Sequence, residues 1–464
     1  FPARRGIKVT DVVLISSGQL RGERTADGLT VFRGVPFARA ARFAPPEPVA
    51  PWDGVFDATR HGPISPQPPY RAGAVMGEPG SGLVQSEDCL NLTVTTPGTE
   101  GRRPVLVWIH GGAYTTGAGS LGFYDSAKLA LEGDVVVVGV NYRLGALGYL
   151  RLDGVSPGNL GLLDQIAALR WVAAEIAAFG GDPRRVTVFG QSAGAHSIAC
   201  LMAAPAARGL FHRAILQSPP LGLKPAGART ASRIARYFTA ALRADPRTAP
   251  VEEILAAQQA AIVRAAGPGG LYSVPPFCPT AAGPLPGPGR WLPSAAEAAR
   301  DVDVIIGTTR DEMATFLTGK PGVVRLEALP VLRRGVEAVK KTTTHWVFER
   351  PSLRFADQLA EAGGRVFTYR FDWAAPDSVY GACHCVELPF LLGGETAWAG
   401  APMLAGADWP EVEALGELLR ASWLSFARTG SPEAAGSWPP HTPGSPAGVR
   451  WSGPARSPRP STTP

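Results

Sequence analysis

The sequence predicts a single α/β domain with a central, mostly parallel sheet that is flanked by helices and interrupted by long insertions. Continuous apolar runs at 105–109 and 135–140, and a strongly apolar segment at 302–306, are typical of strands buried on both faces of such a sheet. Helical patterns separate these runs, and that alternation favours a doubly wound arrangement. We place this domain at residues 1–455 and expect residues 456–464 to form a disordered tail.

The other elements follow from local patterns along the chain. β-branched and apolar runs predict further short strands at 9–10, 12–15, 29–32, 186–189, 214–217 and 366–371. Apolar residues spaced by three and four predict an amphipathic helix over 162–179, ended by Gly180 and Gly181. Further helices are expected within 228–266 and over 411–428. Pro/Gly-rich stretches predict surface loops at 61–86 and 267–293.

Composition excludes several classes of protein. Of 464 residues, 45% are hydrophobic and 18% are charged, which suits a large packed core and not a disordered chain. The net charge of +6 comes from scattered basic residues, so we expect no nucleic-acid partner. No apolar run has the length of a membrane span. The chain begins at Phe1 without a visible leader, so we expect a cytoplasmic protein, with secretion as the alternative.

The cysteines predict neither disulfides nor a metal site. Their number, five, is odd, and their spacing suggests no disulfide framework. Cys383 and Cys385 flank His384, but this is not the usual zinc spacing, and no second Cys/His pair is near in sequence. We expect no metal and no organic cofactor.

The residues 190–194, Gly-Gln-Ser-Ala-Gly, are the strongest functional signal. They join the strand at 186–189 to a helical pattern that starts at Ala195. A strand, a Gly-x-Ser-x-Gly turn and a helix form a nucleophile elbow, which exposes the serine oxygen at the end of a sheet. Upstream, His-Gly-Gly-Ala-Tyr at 110–114 directly follows the strand at 105–109, as in an esterase oxyanion loop. The pair of motifs predicts acyl transfer.

Longer motifs resemble the type-B carboxylesterase family, which includes acetylcholinesterase and the bacterial para-nitrobenzyl esterases. The resemblance extends from about Gly18 to Pro432. The segments that carry it are 33–38, 52–54, 86–92, 141–145, 159–165, 169–172, 179–194, 307–312 and 381–390. It implies an α/β-hydrolase fold, a small ester as substrate, a monomer and no cofactor.

The resemblance assigns roles residue by residue. Ser192 matches the nucleophile and Glu312 the acid, in the family order Ser, acid, His. Three histidines follow Glu312, namely His345, His384 and His441, and His384 matches the base because its segment resembles the family's histidine loop. The backbone N–H groups of Gly112, Ala113 and Ala193 would form the oxyanion hole. Tyr114, Gln191 and Phe316 are candidate substrate-binding residues.

Neighbouring residues have structural interpretations. His196, one helical turn after Ser192, is expected to pack in its helix, and His110 to shape the oxyanion loop. Trp171 is expected in the core. By the resemblance, two ion pairs belong to the scaffold: Arg143 with Asp164, and Arg42 with Glu87.

The chain departs from the family pattern at three places. Gln191 replaces the glutamate usual before the nucleophile, so we expect a reduced preference for cationic substrates. The segment between Glu312 and His384 is short, which favours an open pocket that accepts bulky esters. Cys89 matches a cysteine that is paired in the animal enzymes, but no cysteine precedes it here.

The predicted function is hydrolysis of neutral, fairly hydrophobic carboxylic esters through an acyl-enzyme. A carbamate or amide hydrolase with the same three residues is the alternative, since the chemistry differs only in the leaving group. A noncatalytic, cholinesterase-like binding protein is a remote alternative, because nucleophile, base and acid are all present.

Overall fold

The predicted α/β architecture is confirmed. The computed structural model describes residues 11–70, 72–78, 82–266, 275–287, 289–445, 448–453 and 459–460. Its main feature is a sheet of eleven strands in the order β16-β15-β14-β13-β12-β11-β7-β8-β6-β4-β3. The described strands are β1 Val12–Ile15, β2 Gly18–Arg21, β3 Glu23–Arg24, β4 Thr30–Pro36, β5 Val55–Asp57, β6 Asn91–Thr96, β7 Arg103–Ile109, β8 Val136–Val140, β9 Arg151–Leu152, β10 Ser156–Pro157, β11 Gly181–Gln191, β12 Arg213–Gln217, β13 Asp303–Thr309, β14 Val366–Phe371, β15 Val449–Trp451 and β16 Arg459–Pro460.

Helices cover both faces of this sheet. The described α-helices are α1 Gly73–Met76, α2 Ala127–Gly133, α3 Gly145–Tyr149, α4 Leu160–Glu175, α5 Ala193–Ala203, α6 Ala228–Ala241, α7 Val251–Ala266, α8 Trp291–Ala298, α9 Ala314–Leu317, α10 Pro321–Glu327, α11 Pro330–Thr344, α12 Arg350–Glu361, α13 Leu388–Leu391, α14 Glu395–Trp398 and α15 Trp409–Thr429. A π-helical turn, His345–Glu349, joins α11 to α12. None of the described helices is both long and apolar enough to cross a membrane.

The seven central strands of this sheet run parallel to one another; they are β15, β14, β13, β12, β11, β7 and β8. The outer strands β16, β6, β4 and β3 run antiparallel to their neighbours. Along β7, Val105 and Val107 face a core shared with α4, α5, α8 and α12. Leu106 and Trp108 face the opposite core, which α2 and α15 cover. Because alternate residues point to opposite faces and both faces are buried, the strand reads as a continuous apolar run.

The structure corrects three local predictions. The stretch 61–86 contains the short helix α1, with Val75 and Met76 buried, where only a surface loop was expected. Helix α4 is buried on most sides, Asp164 and Gln165 included, and is not simply amphipathic, because other elements cover its polar positions. Helix α8 begins at Trp291, inside the predicted loop.

Some predictions fall outside the described residues. These are the strand at 9–10, the loop residues 267–274, and residues 456–458 and 461–464 of the predicted tail. Within that tail, residues 459–460 pair with β15.

Candidate active site

The candidate residues all follow parallel strands at one edge of the sheet. Ser192 comes directly after β11, and the 110–114 loop follows β7. Glu312 follows β13, and His384 lies beyond β14. Since the carboxyl ends of parallel strands meet at the same edge, residues far apart in sequence converge there, where open α/β sheets bind ligands.

The elbow at Ser192 is a strained turn between β11 and α5. Ser192 has φ 58° and ψ −121°, a conformation that L-residues rarely adopt. A Cβ on Gly194 would collide with the carbonyl oxygen of Ile109, and one on Gly190 would lie 2.6 Å from the same oxygen. Glycine is therefore required on both sides. The N–H of Ser192 donates to the carbonyl of Gln217 at 2.9 Å and ties the turn to β12.

Glu312 and His384 are in direct contact in a closed environment. His384 Nδ1 lies 2.5 Å from Glu312 Oε2, and the exposed fractions are 2% and 0%. The other carboxylate oxygen accepts the N–H of Thr309 at 2.8 Å. A bridge between Asp311 and Cys383 brings the two loops together. Because the carboxylate accepts from Nδ1, the neutral imidazole has its acceptor at Nε2.

That acceptor faces Gln191 in this structure. Gln191 Nε2 lies 3.1 Å from His384 Nε2, so the side-chain amide donates to the neutral ring. Within the described residues, Ser192 Oγ makes no hydrogen bond with His384. The structure therefore brings Glu312 and His384 together and places Ser192 beside them, with Gln191 bonded to the imidazole.

The 110–114 loop lies beside the elbow, where a Cβ on Gly111 would be 3.2 Å from Ser192 Cβ. Gly112, Ala113 and Tyr114 have φ values of 117°, 53° and 63°. Among the described residues, the N–H groups of Gly112, Ala113 and Ala193 have no hydrogen-bond partner. Ala193 is also the first residue of α5, where the helix dipole favours negative charge. The three donors are thus free to bind an anion.

Two histidines support this loop. His110 is fully buried, with Nδ1 2.8 Å from the carbonyl oxygen of Gly111. His196 Nδ1 lies 2.5 Å from the hydroxyl of Tyr114, which links α5 to the loop. Burial lowers the pKa of each imidazole to about 4, so both rings are neutral at pH 7.

Glu387 is a site residue that sequence reasoning missed. It lies three residues after His384, near Gln217 and Ser218, with only 1% of its surface exposed. Burial and the charge of Glu312 raise the pKa of Glu387 to about 8, which keeps this carboxyl protonated at neutral pH. Its place in the histidine loop was the only available signal.

Two aromatic rings pack against the imidazole. The ring centroids of Phe316 and Phe348 lie 5.2 Å and 5.1 Å from that of His384, and the two phenylalanine rings stack. Phe316 was a sequence candidate. Phe348 was missed, because it lies in the π-helical turn and no motif marks it.

The remaining predictions concern the scaffold. Arg143 and Asp164 form a buried pair at 2.7 Å, and Arg42 pairs with Glu87 at 2.5 Å. Trp171 is buried in the core. All five cysteines are unpaired and buried, and no group of three potential metal ligands occurs within the described part of the chain.

Comparisons with known proteins agree with this geometry. The model of the carboxylesterase family matches residues 9–327 and 332–452. The chain belongs to the carboxylesterase family. A probable N-octanoylanthranilate hydrolase of Rhodococcus erythropolis is 45% identical over 436 residues, which cover 93% of this chain and 95% of that protein. The phenmedipham hydrolase of Pseudarthrobacter oxydans is 38% identical over 445 residues, covering 88% and 87% of the two chains.

A solved structure supports the same assignment. A thermophilic PNB esterase superposes with a TM-score of 0.83 at 34% identity, over 96% of each chain. The predicted α/β-hydrolase fold is confirmed by this similarity. This carboxylesterase is therefore a carboxylic-ester hydrolase of the serine type, and the prediction of an enzyme is confirmed.

Proposed function

We propose that Ser192, His384 and Glu312 carry out the hydrolysis. The observation that supports this most strongly is the buried contact between His384 Nδ1 and Glu312 Oε2, directly beside the strained elbow. A serine hydroxyl is a weak nucleophile and needs a base to take its proton. Glu312 holds the ring with Nε2 as acceptor and stabilises the imidazolium that forms.

The reaction proceeds through an acyl-enzyme. Ser192 Oγ attacks the ester carbonyl while its proton passes to His384 Nε2, after the Gln191 amide has released that nitrogen. The N–H groups of Gly112, Ala113 and Ala193 stabilise the tetrahedral oxyanion, each donor contributing about 10²–10³ in rate. His384 then protonates the leaving alcohol, and water attacks the acyl-enzyme by the reverse sequence.

The preferred substrates are neutral, fairly hydrophobic esters. Gln191 places an amide where the family usually has a carboxylate, and Glu387 is protonated at neutral pH. Little negative charge besides that of Glu312 therefore attracts a cation. The rings of Phe316 and Phe348 favour an apolar or aromatic group next to the scissile bond. Tyr114 is proposed to line the same pocket through its ring, since its hydroxyl bonds His196.

Amide or carbamate hydrolysis is the second candidate. The relative from Rhodococcus erythropolis is named for an N-octanoyl substrate, which is an amide of an anionic aromatic amine. An active site with a neutral Gln191 does not repel such an anion. The same acyl transfer applies, but the poorer leaving group requires His384 to protonate the nitrogen as it departs.

The assembly and location are also proposals. We propose one catalytic domain over residues 1–455, acting as a monomer in the cytoplasm, with secretion as the alternative. The five buried, unpaired thiols are compatible with a reducing compartment.

The test is a substrate panel measured as kcat/KM. It comprises aryl and alkyl esters, a choline ester with its neutral carbon isostere, triglycerides, N-acyl anthranilates and N-aryl carbamates. Neutral esters should be the best substrates, and Ser192→Ala should abolish every activity. Ser232→Ala, on the exposed side of α6, is the matched control and should remain fully active. Ester turnover that survives in Ser192→Ala contradicts the mechanism, and a preference for the choline ester contradicts the substrate class.

A further inference from the structure

A helical hairpin leaves the candidate site and returns to it. After Phe316 the chain forms α10 and α11, and it comes back at Phe348 in the π-helical turn. The rings of both phenylalanines lie about 5 Å from the His384 ring. We call residues 320–346 the basic hairpin. The residues that flank the basic hairpin on both sides therefore lie beside His384.

Most large apolar side chains of the basic hairpin are exposed, although Val323 packs against the cluster of Met313, Leu317 and Phe348. In α11 only Thr344 is buried, and in α10 no residue is. Leu329, Leu332, Val336 and Val339 recur at spacings of three and four, which puts them on one side of the helix. The exposed large apolar residues, between 42% and 87% accessible, are Val324, Leu326, Leu329, Val331, Leu332, Val339 and Trp346. Helices of this length are stabilised mainly by packing of an apolar face, so this face is suited to a partner.

The charges of the basic hairpin are unbalanced. Lys340 binds both Glu327 and Glu337, and Glu349 just beyond the hairpin binds His345. Within the described chain, five basic side chains of the hairpin have no ion pair: Lys320, Arg325, Arg333, Arg334 and Lys341. The acidic groups are thus satisfied internally, whereas the cations remain available to an anionic partner.

We propose that the basic hairpin docks this carboxylesterase on an anionic lipid surface. An apolar stripe beside a row of Lys and Arg is the signature of helices that lie in the membrane interface. The aliphatic side chains would enter the acyl boundary, and Arg333, Arg334 and Lys341 would meet the phosphates.

A lipid surface fits these residues better than a protein does. Leu329 and Val339 on the apolar side of α11 are 53% and 57% exposed, so these side chains project into solvent and do not line a pocket that could receive a protein side chain. The open groove of about 720 Å³ between the helices is lined largely by charged residues. A second copy bound by a two-fold axis would bring like cations face to face.

The docking has a consequence for catalysis, which rests on the proposed function. Neutral hydrophobic esters concentrate in bilayers, and the two phenylalanines that flank the basic hairpin, Phe316 and Phe348, lie beside His384. A docked enzyme would therefore have its site next to the membrane phase that holds such substrates. The docking itself is tested without any substrate, so its failure is distinguishable from a failure of the esterase assignment.

The experiment is co-sedimentation of the full chain with vesicles. Vesicles of phosphatidylcholine alone are compared with vesicles that also contain phosphatidylglycerol. Each basic residue near an anionic surface contributes roughly a factor of five in partitioning, so Arg333→Glu/Arg334→Glu should lower binding by at least about 25-fold. Leu332→Ser/Val339→Ser should lower it as well. The control, Arg233→Glu/Arg236→Glu on the exposed side of α6, makes the same change in net charge and should bind like the parent.

The expected result is binding that requires phosphatidylglycerol and both groups of the basic hairpin. All variants should hydrolyse a short, water-soluble ester at the parental rate, which shows that the site is intact. Three results would overturn the proposal: no sedimentation of the parent, equal binding to both vesicles, or an equal loss in the α6 variant. A dimer in sedimentation equilibrium that Leu332→Ser/Val339→Ser dissociates would assign the surface to a second copy instead.

Discussion

Replacing Gln191 by glutamate should move the acidic limb of the kcat/KM profile to higher pH. Gln191 Nε2 lies 3.1 Å from His384 Nε2, and both side chains are buried. In the parent the amide donates to Nε2 of the imidazole. A carboxylate in the same place favours the imidazolium, which cannot accept the proton of Ser192.

The structure sets the size of the effect. Unit charges about 4 Å apart attract by roughly 4 kcal/mol at an effective dielectric constant of 20. Burying the new carboxylate costs part of this, because ions in closed sites lose several kcal/mol of hydration. An opposite charge within 4–6 Å changes the pKa of a titratable group by about 1–3 units. We therefore expect the acidic limb of the kcat/KM profile to move by about 1–2 pH units.

The assay is the pH dependence of kcat/KM for a neutral aryl ester, which reports groups of the free enzyme. Gln191→Met, of similar shape without the amide, should move the limb slightly in the same direction. Gln259→Glu, on the exposed face of α7, adds the same charge elsewhere and should leave the profile unchanged. An acidic limb that is identical in Gln191→Glu and the parent would refute the contact between the amide and the imidazole.

Three further predictions concern the support of the site. Tyr114→Phe removes the hydroxyl that bonds His196 in α5, a loss of about 1–1.5 kcal/mol, so kcat should fall about 10-fold at constant KM. The control is Tyr149→Phe, because the buried hydroxyl of Tyr149 has no partner among the described residues. An equal fall of kcat in both variants would contradict the role of the bond. Because folding raises the pKa of Glu387 from 4.5 to about 8, the folded enzyme retains a proton that the unfolded chain loses, and its free energy of unfolding falls as pH rises through this range. Glu387→Gln lacks that titration. Its free energy of unfolding, measured in urea, should therefore rise by a few kcal/mol relative to that of the parent between pH 5 and pH 8. A difference between the two proteins that stays constant with pH would count against the buried neutral acid. Asp164→Ala should destabilise the protein by about 3–5 kcal/mol, because it leaves the buried Arg143 without its ion-pair partner. Asp134→Ala, in an exposed ion pair, should cost at most about 1 kcal/mol. Similar losses of the free energy of unfolding in urea for the two variants would argue against burial as the cause.

The sequence predicted the architecture because the residue patterns of single strands and turns reflect how these elements pack in the whole fold. The run 105–109 is continuous since both faces of β7 are covered, and the same holds for β8 and β13. The elbow was recognisable because close approach of the backbone requires glycine at 190 and 194. Chain order and motif context also selected His384 over His345 and His441. The structure places His384 against Glu312 and places the other two outside the site, bonded to Glu349 and Asp357.

Other features depend on three-dimensional packing that no local pattern encodes. The burial of α4 comes from elements distant in sequence, so its polar residues looked like a solvent face. Phe348 reaches the imidazole only because a π-helical turn redirects the chain. The protonated state of Glu387 comes from burial beside Glu312, 75 residues upstream by the numbering. The sequence singled out Gln191 because it is uncharged where the family usually has glutamate. Its contact with His384 depends on its side-chain rotamer, which the sequence does not encode.

Covalent labelling with an aryl phosphonate tests the central claim most directly. Phosphonates mimic the tetrahedral intermediate, so the reaction needs the nucleophile, the base and the oxyanion donors together. We predict one equivalent of aryl alcohol released per chain, loss of all ester hydrolysis, and a single adduct that peptide mass spectrometry places on Ser192. An adduct on another residue, or full ester turnover in a completely labelled enzyme, would contradict the assignment of Ser192 as the nucleophile.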